Sequence, residues 1–353
     1  RHIEIKSGFA GLKGGGNETF LQLNIPRLSR QLKLVNPYAT NACFINASVQ
    51  LFRMTGYTHF ILGLKTFQEN QKISKALCDI FTGKENSVKS LRTLMAHFTK
   101  KQYYDDNSQQ DSVEFLEDLE VAIYDEIGLT SIRDDHWGSE ELTRHFSGNE
   151  EGRCFNGHMP VAMNQEFLFL KLRLNDANSE VTFQQLIDLH FSSNMDIEPV
   201  KCSNCCQCSK KTPPSVRTFS GDCKKKPAIE KCVFTMLPKF LFSQIIRWDN
   251  SGKKNEQFVQ IDKEGFIFDS YNYQPIAIIS HEGSSKDSGH YITHRKNEND
   301  EWILCNDYQI TRSSLDEANS KNNYVILFQR VDIVIPLDSL VQDMELIENK
   351  ESD

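Results

Sequence analysis

The feature that most limits the fold is a change in the spacing of apolar residues about a third of the way along the chain. Between Cys43 and about Gly128 they recur every three or four positions. Leu91, Leu94, Met95 and Phe98 share one helical face. Phe115, Leu116, Leu119, Ile123 and Ile127 share another, closed by Gly128. Ser108-Gln109-Gln110-Asp111 opens the second of these helices in the manner of a capping box. After Thr130 the pattern turns extended. Phe167 to Leu174 reads as a strand and 183–191 as a short helix. From Lys231 onward strands are predicted over 232–237, 240–247, 257–263, 276–280, 289–296, 301–305 and 323–329. Turn residues such as Asn250-Ser251-Gly252-Lys253 separate them. Helices first and strands afterwards give an α+β chain.

Cys43 stands where a loop gives way to a helix, because Ile45, Val49 and Phe52 follow at helical spacing. Thr40 or Asn41 is the expected N-cap and Gly56 the stop. The first turn of a helix carries unpaired N–H groups and the positive end of the dipole, and both favour thiolate over thiol. Taken alone, Cys43 reads first as a small core hydrophobe, as most single intracellular cysteines are. Downstream, His290 opens a strand directly after Gly289, and Asn306 ends the next strand of an apparent hairpin. Adjacent antiparallel strands bring such side chains within hydrogen-bond reach. Thiol, imidazole and carboxamide are the parts of a cysteine protease: the imidazole takes the thiol proton and the amide fixes its tautomer.

The ten cysteines are unevenly spread, four of them falling between Cys202 and Cys208. That is a metal-site distribution and not a disulfide framework, which places the chain in a reducing compartment, cytosol or nucleus. Cys154 with His158, and Cys202 with Cys205, are expected to close one structural Zn²⁺, and Cys205-x-x-Cys208 is an equally legal knuckle. The alternative is a site that has lost its metal. Lys+Arg 40 against Asp+Glu 48 leaves a net charge of −8, which argues against nucleic acid as the main partner. No apolar run reaches membrane-spanning length and no signal peptide opens the chain.

These blocks resemble the ubiquitin-specific proteases, papain-like cysteine deubiquitinases. The family's box Gly-Asn-Thr-Cys-Tyr-x-Asn-Ser-x-x-Gln is similar to Thr40 through Gln50. Its Gln-Gln-Asp-x-x-Glu-Phe-Leu stands here as Gln109 to Leu116. Leu237-Pro238 through Arg247-Trp248, Tyr273 to Gly283 with Gly289-His290-Tyr291, Trp302 to Asp307, and Tyr324 to Phe328 follow in the family's order. The resemblance implies Cys43 as nucleophile, His290 as general base and acid, Asn306 as the orienting third member and Asp307 as its neighbour. It implies a channel for the ubiquitin tail lined by Gln110, Asp111, His281, Gly289 and Tyr291. It further implies an α+β, papain-like fold: helical thumb (about 35–150), zinc-bearing β fingers (about 151–235) and β-sheet palm (about 236–330). A leader (1–34), partly ordered, precedes it and an acidic tail (331–353) follows.

One departure bears on activity. The family places an oxyanion-stabilising asparagine five residues before the cysteine, where this chain has Tyr38; Asn36 and Asn41 flank it, in a loop two residues longer than usual. Either asparagine is a candidate donor, and so are backbone N–H groups. A missing donor costs on the order of 2.7–4 kcal/mol of barrier. The expected activity is hydrolysis after the terminal glycine of ubiquitin through a Cys43 thioester. Ubiquitin and ubiquitinated proteins are the expected partners, with room for an activating protein and none for nucleic acid or membrane. The alternatives are a weak or inactive ubiquitin-binding scaffold of the same fold, or a protease for another ubiquitin-like modifier.

Overall fold

The computed structural model describes residues 29, 31–38, 40–64, 66–104, 108–126, 148–154, 165–174, 180–192, 229–249, 252–268, 271–285 and 288–331. For His59, Phe60, Ser192 and strands 148–154, 165–167 and 229–236 it describes the backbone alone. The expected helical half consists of α1 (Cys43–Phe52), α2 (Gly56–Gly63), α3 (Lys72–Phe81), α4 (Lys89–Thr99), a 3-10 turn (Gln102–Tyr104) and α5 (Ser112–Glu126). Every residue of α1 is buried, which makes it the central rod of this lobe. Gly56 begins α2 instead of merely ending α1; the break between them is a tight turn in which Thr55 Oγ1 donates back to the Phe52 carbonyl at 2.6 Å.

The strands are β1 (Gly148–Cys154), β2 (Gln165–Phe167), β3 (Phe169–Arg173), β4 (Val181–Thr182), β5 (Ile229–Met236), β6 (Phe240–Ile246), β7 (Val259–Gln260) and β8 (Phe266–Phe268). They continue with β9 (Tyr271–Ser285), β10 (Ser288–Lys296), β11 (Trp302–Asn306), β12 (Gln309–Arg312) and β13 (Asn323–Val331). Two further helices, α6 (Phe183–Ser192) and α7 (Leu315–Ala318), lie between them. The main sheet runs β12-β11-β10-β9-β13-β6-β3, with β8 beside β9. A separate sheet β2-β1-β5 forms an extension, and β4 pairs with β7. The predicted strand over 257–263 shrinks to the two residues of β7, and β8 and β12 were not expected.

Side-chain alternation sorts the main sheet between two cores. Phe242, Ile279, Val325 and Leu327 face the helical lobe. Leu241, Ile245, Ile278, Ile326 and Phe328 face the opposite side, where Phe183, Leu186 and Ile187 of α6 cover them. Leu32 and Leu34 are buried in the first core, so packing begins before residue 35. α1 is fastened to the sheet by Thr293 Oγ1 donating to the Ala47 carbonyl (2.9 Å) and Arg295 Nε donating to Gln50 Oε1 (3.0 Å). The helix N-terminus at Cys43 is thereby held against β10, the strand that carries His290. Among the described residues no helix is long and apolar enough to cross a membrane.

Candidate active site

Cys43 is the first residue of α1. The cap position is Ala42, which makes no side-chain bond to the helix, so the expected cap from Thr40 or Asn41 is not formed. Thr40 Oγ1 instead donates to the Pro37 carbonyl (2.7 Å) and to Asn36 Oδ1 (3.0 Å). The Ala42 N–H donates to Asn36 Oδ1 at 3.0 Å. The longer loop thus folds back on Asn36. The Cys43 N–H, first in the helix, has no acceptor within the helix.

His290 lies on β10 and Asn306 ends β11. The register pairs Thr293 with Cys305, which makes His290 and Asn306 diagonal neighbours on one face. The His290 Nε2 and Asn306 Oδ1 are 2.8 Å apart. The Cys43 side chain is the largest influence raising the His290 pKa to about 9, opposed by burial and reinforced by Asn306 and the charge of Asp307. Thiol, imidazole and carboxamide, named from three distant motifs, therefore meet. A ring held at Nε2 by a carboxamide and facing a sulfur can shuttle one proton between that sulfur and a leaving group.

Asp307 sits beside this set in left-handed backbone, φ 50°. Its two carboxylate oxygens accept from Asn36 Nδ2 (2.9 Å) and Asn46 Nδ2 (2.8 Å). Asn36 therefore gives its oxygen to Ala42 and one amide hydrogen to Asp307. Asn41 occupies left-handed backbone, φ 46°, two residues before the sulfur.

Asp111 is the N-cap of α5: its Oδ1 accepts from Val113 N (2.7 Å) and Glu114 N (3.4 Å). The cap expected at Ser108 is displaced by three residues to Asp111, and among the described residues it is a side-chain cap without the reciprocal bond of a capping box. Both are good cap types, and residues 108–111 are not helical. Asp111 Oδ2 takes a 2.6 Å bond from the Tyr324 hydroxyl, and burial nonetheless pushes its pKa up. Gln110 turns to the Ser108 hydroxyl. It is Gln109, not singled out from the sequence, that crosses to the palm and bonds Gly289.

His281 is fully buried between Trp248 and Tyr291, and neither ring nitrogen has a partner among the described residues. Burial, with help from Lys254 and His290, lowers its pKa to about 4, so the ring is neutral. Gly289 presses on it: a Cβ there would lie 2.5 Å from His281 Nε2. Arg92 is a second residue the sequence did not single out. Buried in α4, it donates to the carbonyls of Thr40, Tyr104 and Ser108, tying the loop before Cys43 to the loop before α5.

Of the expected metal ligands, His158, Cys202 and Cys205 lie outside the described residues, and Cys154 ends β1 with only its backbone described.

Comparison with known proteins places this geometry. A 65-residue stretch, 17% of the chain, is 45% identical to ubiquitin carboxyl-terminal hydrolase 14 of Schizosaccharomyces pombe, covering 8% of it. Another of 61 residues, 17% of the chain, is 33% identical to ubiquitin carboxyl-terminal hydrolase 51 of Mus musculus, covering 9% of it. The chain therefore spans less than a tenth of the length of these two curated relatives. A solved SAGA Ubp8/Sgf11/Sus1/Sgf73 DUB module bound to ubiquitin aldehyde shares the fold at TM-score 0.64 and 18% identity, over 87% of this chain and 71% of that one. The α+β, papain-like architecture is thus that of the ubiquitin-specific proteases. Residues 34–328 match the model of the ubiquitin carboxyl-terminal hydrolase family, and the chain belongs to that family.

Proposed function

We propose that this chain is a thiol deubiquitinase that cleaves the bond after the terminal glycine of ubiquitin. The observation that carries the reading is the His290 ring held between the Cys43 side chain and Asn306, in a chain of this family. The Cys43 thiolate attacks the carbonyl carbon of that glycine, and the His290 imidazolium protonates the leaving lysine amine. Water, deprotonated by His290, then attacks the thioester, releasing the ubiquitin carboxylate and restoring the thiol. Asn306 fixes the ring. Oxyanion charge falls to the Cys43 N–H and the hydrogen of Asn36 Nδ2 that Asp307 does not take. Asp111, His281, Gly289 and Tyr291 border the tail on its way to the sulfur.

Ubiquitin as substrate is supported by the related Ubp8 module, solved bound to ubiquitin aldehyde, and an activating partner is compatible with that module's other subunits. We further assign Cys154, His158, Cys202 and Cys205 to one structural Zn²⁺. Two thiolate-bearing pairs suit that ion, and four protein ligands leave no open position for catalysis. Among the described residues Cys43, Cys78 and Cys305 are free thiols, which supports a cytosolic or nuclear setting. Thumb, fingers and palm are assigned to about 35–150, 151–235 and 236–330.

A second reading, a ubiquitin-binding scaffold of low turnover, is favoured by one observation: Asn36 is tied to Ala42 and Asp307. Incubation with ubiquitin carrying a C-terminal electrophile separates the two. An enzyme is labelled at Cys43 and the Cys43→Ala variant is not; a protein that binds ubiquitin without being labelled is the scaffold. The same probe built on other ubiquitin-like modifiers tests the choice of modifier.

A further inference from the structure

Among the contacts between the helical lobe and the palm, two hydrogen-bonded crossings lie beside the candidate catalytic set. The inner crossing is partly buried: Asp111, the residue immediately before α5, accepts from the Tyr324 hydroxyl of β13 at 2.6 Å. The outer crossing is exposed. Gln109 Nε2 donates to the Gly289 carbonyl (2.9 Å), and the Gly289 N–H donates back to Gln109 Oε1 (3.2 Å). Gly289 immediately precedes His290, so this crossing stands one residue from the imidazole of the candidate catalytic set.

We propose that Gln109 is a strap that opens to admit the ubiquitin tail and recloses across it, making Gln109 a specificity-determining residue. The proposal rests on the reading of the chain as a deubiquitinase. A tail joined to a folded body at one end and to a lysine at the other cannot be threaded beneath a closed crossing. The strap must therefore part and re-form in each cycle. Its chemistry suits that task, because both bonds are neutral, exposed and made to a backbone amide, which no palm side chain need rearrange to release. Gly289 cannot be enlarged to supply a firmer partner, since a Cβ there would stand 2.5 Å from His281 Nε2 and 2.6 Å from the Glu282 carbonyl. Reclosed, the strap passes over the residues nearest the sulfur and leaves no room for side chains on them.

The test uses the whole chain with ubiquitin–aminomethylcoumarin and a matched substrate whose penultimate tail glycine is alanine. Gln109→Ala is expected to raise KM for the native substrate by about tenfold with kcat within about twofold. It is also expected to narrow the preference for glycine over alanine by about fivefold or more. Gln109→Glu, able to accept from the Gly289 N–H but not to donate to its carbonyl, is expected to fall between. Unchanged KM and unchanged glycine preference in Gln109→Ala overturn the strap, as does a loss confined to kcat. Ubiquitin affinity in a Cys43→Ala background, with and without Gln109→Ala, reads the strap without turnover. If the wild type is inactive but affinity still depends on Gln109, the strap stands and the activity falls. If ubiquitin binds neither form, both fall.

Discussion

Asp307 and Asn46 are joined by a 2.8 Å hydrogen bond, from the Asn46 carboxamide to one oxygen of the carboxylate, while the other oxygen takes 2.9 Å from Asn36. One anion thus clamps the helix that bears Cys43 to the loop that precedes it. Asp307→Asn keeps the size and tolerates the left-handed backbone, but turns an N–H donor toward one of the two amides. Charge-assisted bonds of this kind contribute roughly 1.5–3 kcal/mol each. The expected result is a kcat lower by about tenfold or more, little change in KM, and a lower unfolding midpoint. An unchanged kcat would show that the carboxylate does not set the loop.

The imidazole makes a second prediction, in pH. The His290 pKa is raised to about 9, first by its interaction with the Cys43 side chain and then, against burial, by Asn306. A thiolate–imidazolium pair is lost as pH climbs through that value, so kcat/KM should fall on the alkaline side near pH 9. Asn306→Ala removes one contribution that raises the pKa, and the alkaline limb should move toward the ordinary histidine value of about 6.5. If the limb stays in place, Asn306 does not hold the charged ring.

These placements show what a one-dimensional reading can and cannot carry. Cys43, His290 and Asn306 were legible because each sits in a motif whose local structure is simple: a helix start, and two strands of one hairpin. Gln109 was not distinguishable from Gln110, since the two are identical in type and adjacent in a loop, and only the far wall, Gly289, decides which one bonds across. Ser108 and Asp111 are both good cap residues three positions apart. Asp111 wins because Tyr324 fixes its second oxygen from another lobe. Strand β12, Gln309–Arg312, is an edge strand of mostly exposed side chains, so it lacks the alternation by which buried strands are recognised. Nothing local marks Arg92, whose guanidinium donates to the Thr40, Tyr104 and Ser108 carbonyls, all in other segments.

Glu120 predicts a stability effect far from the cleft. It is buried in α5, with the Tyr57 hydroxyl 3.5 Å away, and burial raises its pKa to about 8. An acid whose folded-state pKa is raised binds a proton that the unfolded chain has already released between about pH 4.5 and 8. Its contribution is therefore complete below about 4.5 and is lost as pH climbs through about 8. Glu120→Gln, neutral at every pH, should flatten this part of the stability curve and stabilise the protein at pH 8 relative to the wild type. Urea unfolding at pH 5 and pH 8 measures both. Parallel curves for the two proteins would mean that Glu120 is solvated well enough to ionise freely.

The last prediction concerns Tyr324, whose hydroxyl donates to Asp111 Oδ2 at 2.6 Å and accepts from Gln244 Nε2 at 2.7 Å. Burial raises the Asp111 pKa, and the bond from Tyr324 is the largest influence opposing it. Tyr324→Phe keeps the ring packed against Trp248 and Tyr291 but leaves one carboxylate oxygen unbonded in a buried place. The Asp111 pKa must then rise further, so the anion is lost at a higher pH than in the wild type. If the anion borders the ubiquitin tail, KM should increase several-fold and the acid limb of kcat/KM should move up in pH. The kcat at saturating substrate should hold, because the Tyr324 hydroxyl bonds to Asp111 and Gln244 and not to the Cys43–His290–Asn306 set. Michaelis constants across pH 5 to 8 give both readouts. An acid limb and KM identical to the wild type would mean that Asp111 serves only as the cap of α5, since that bond uses the other oxygen and survives the substitution.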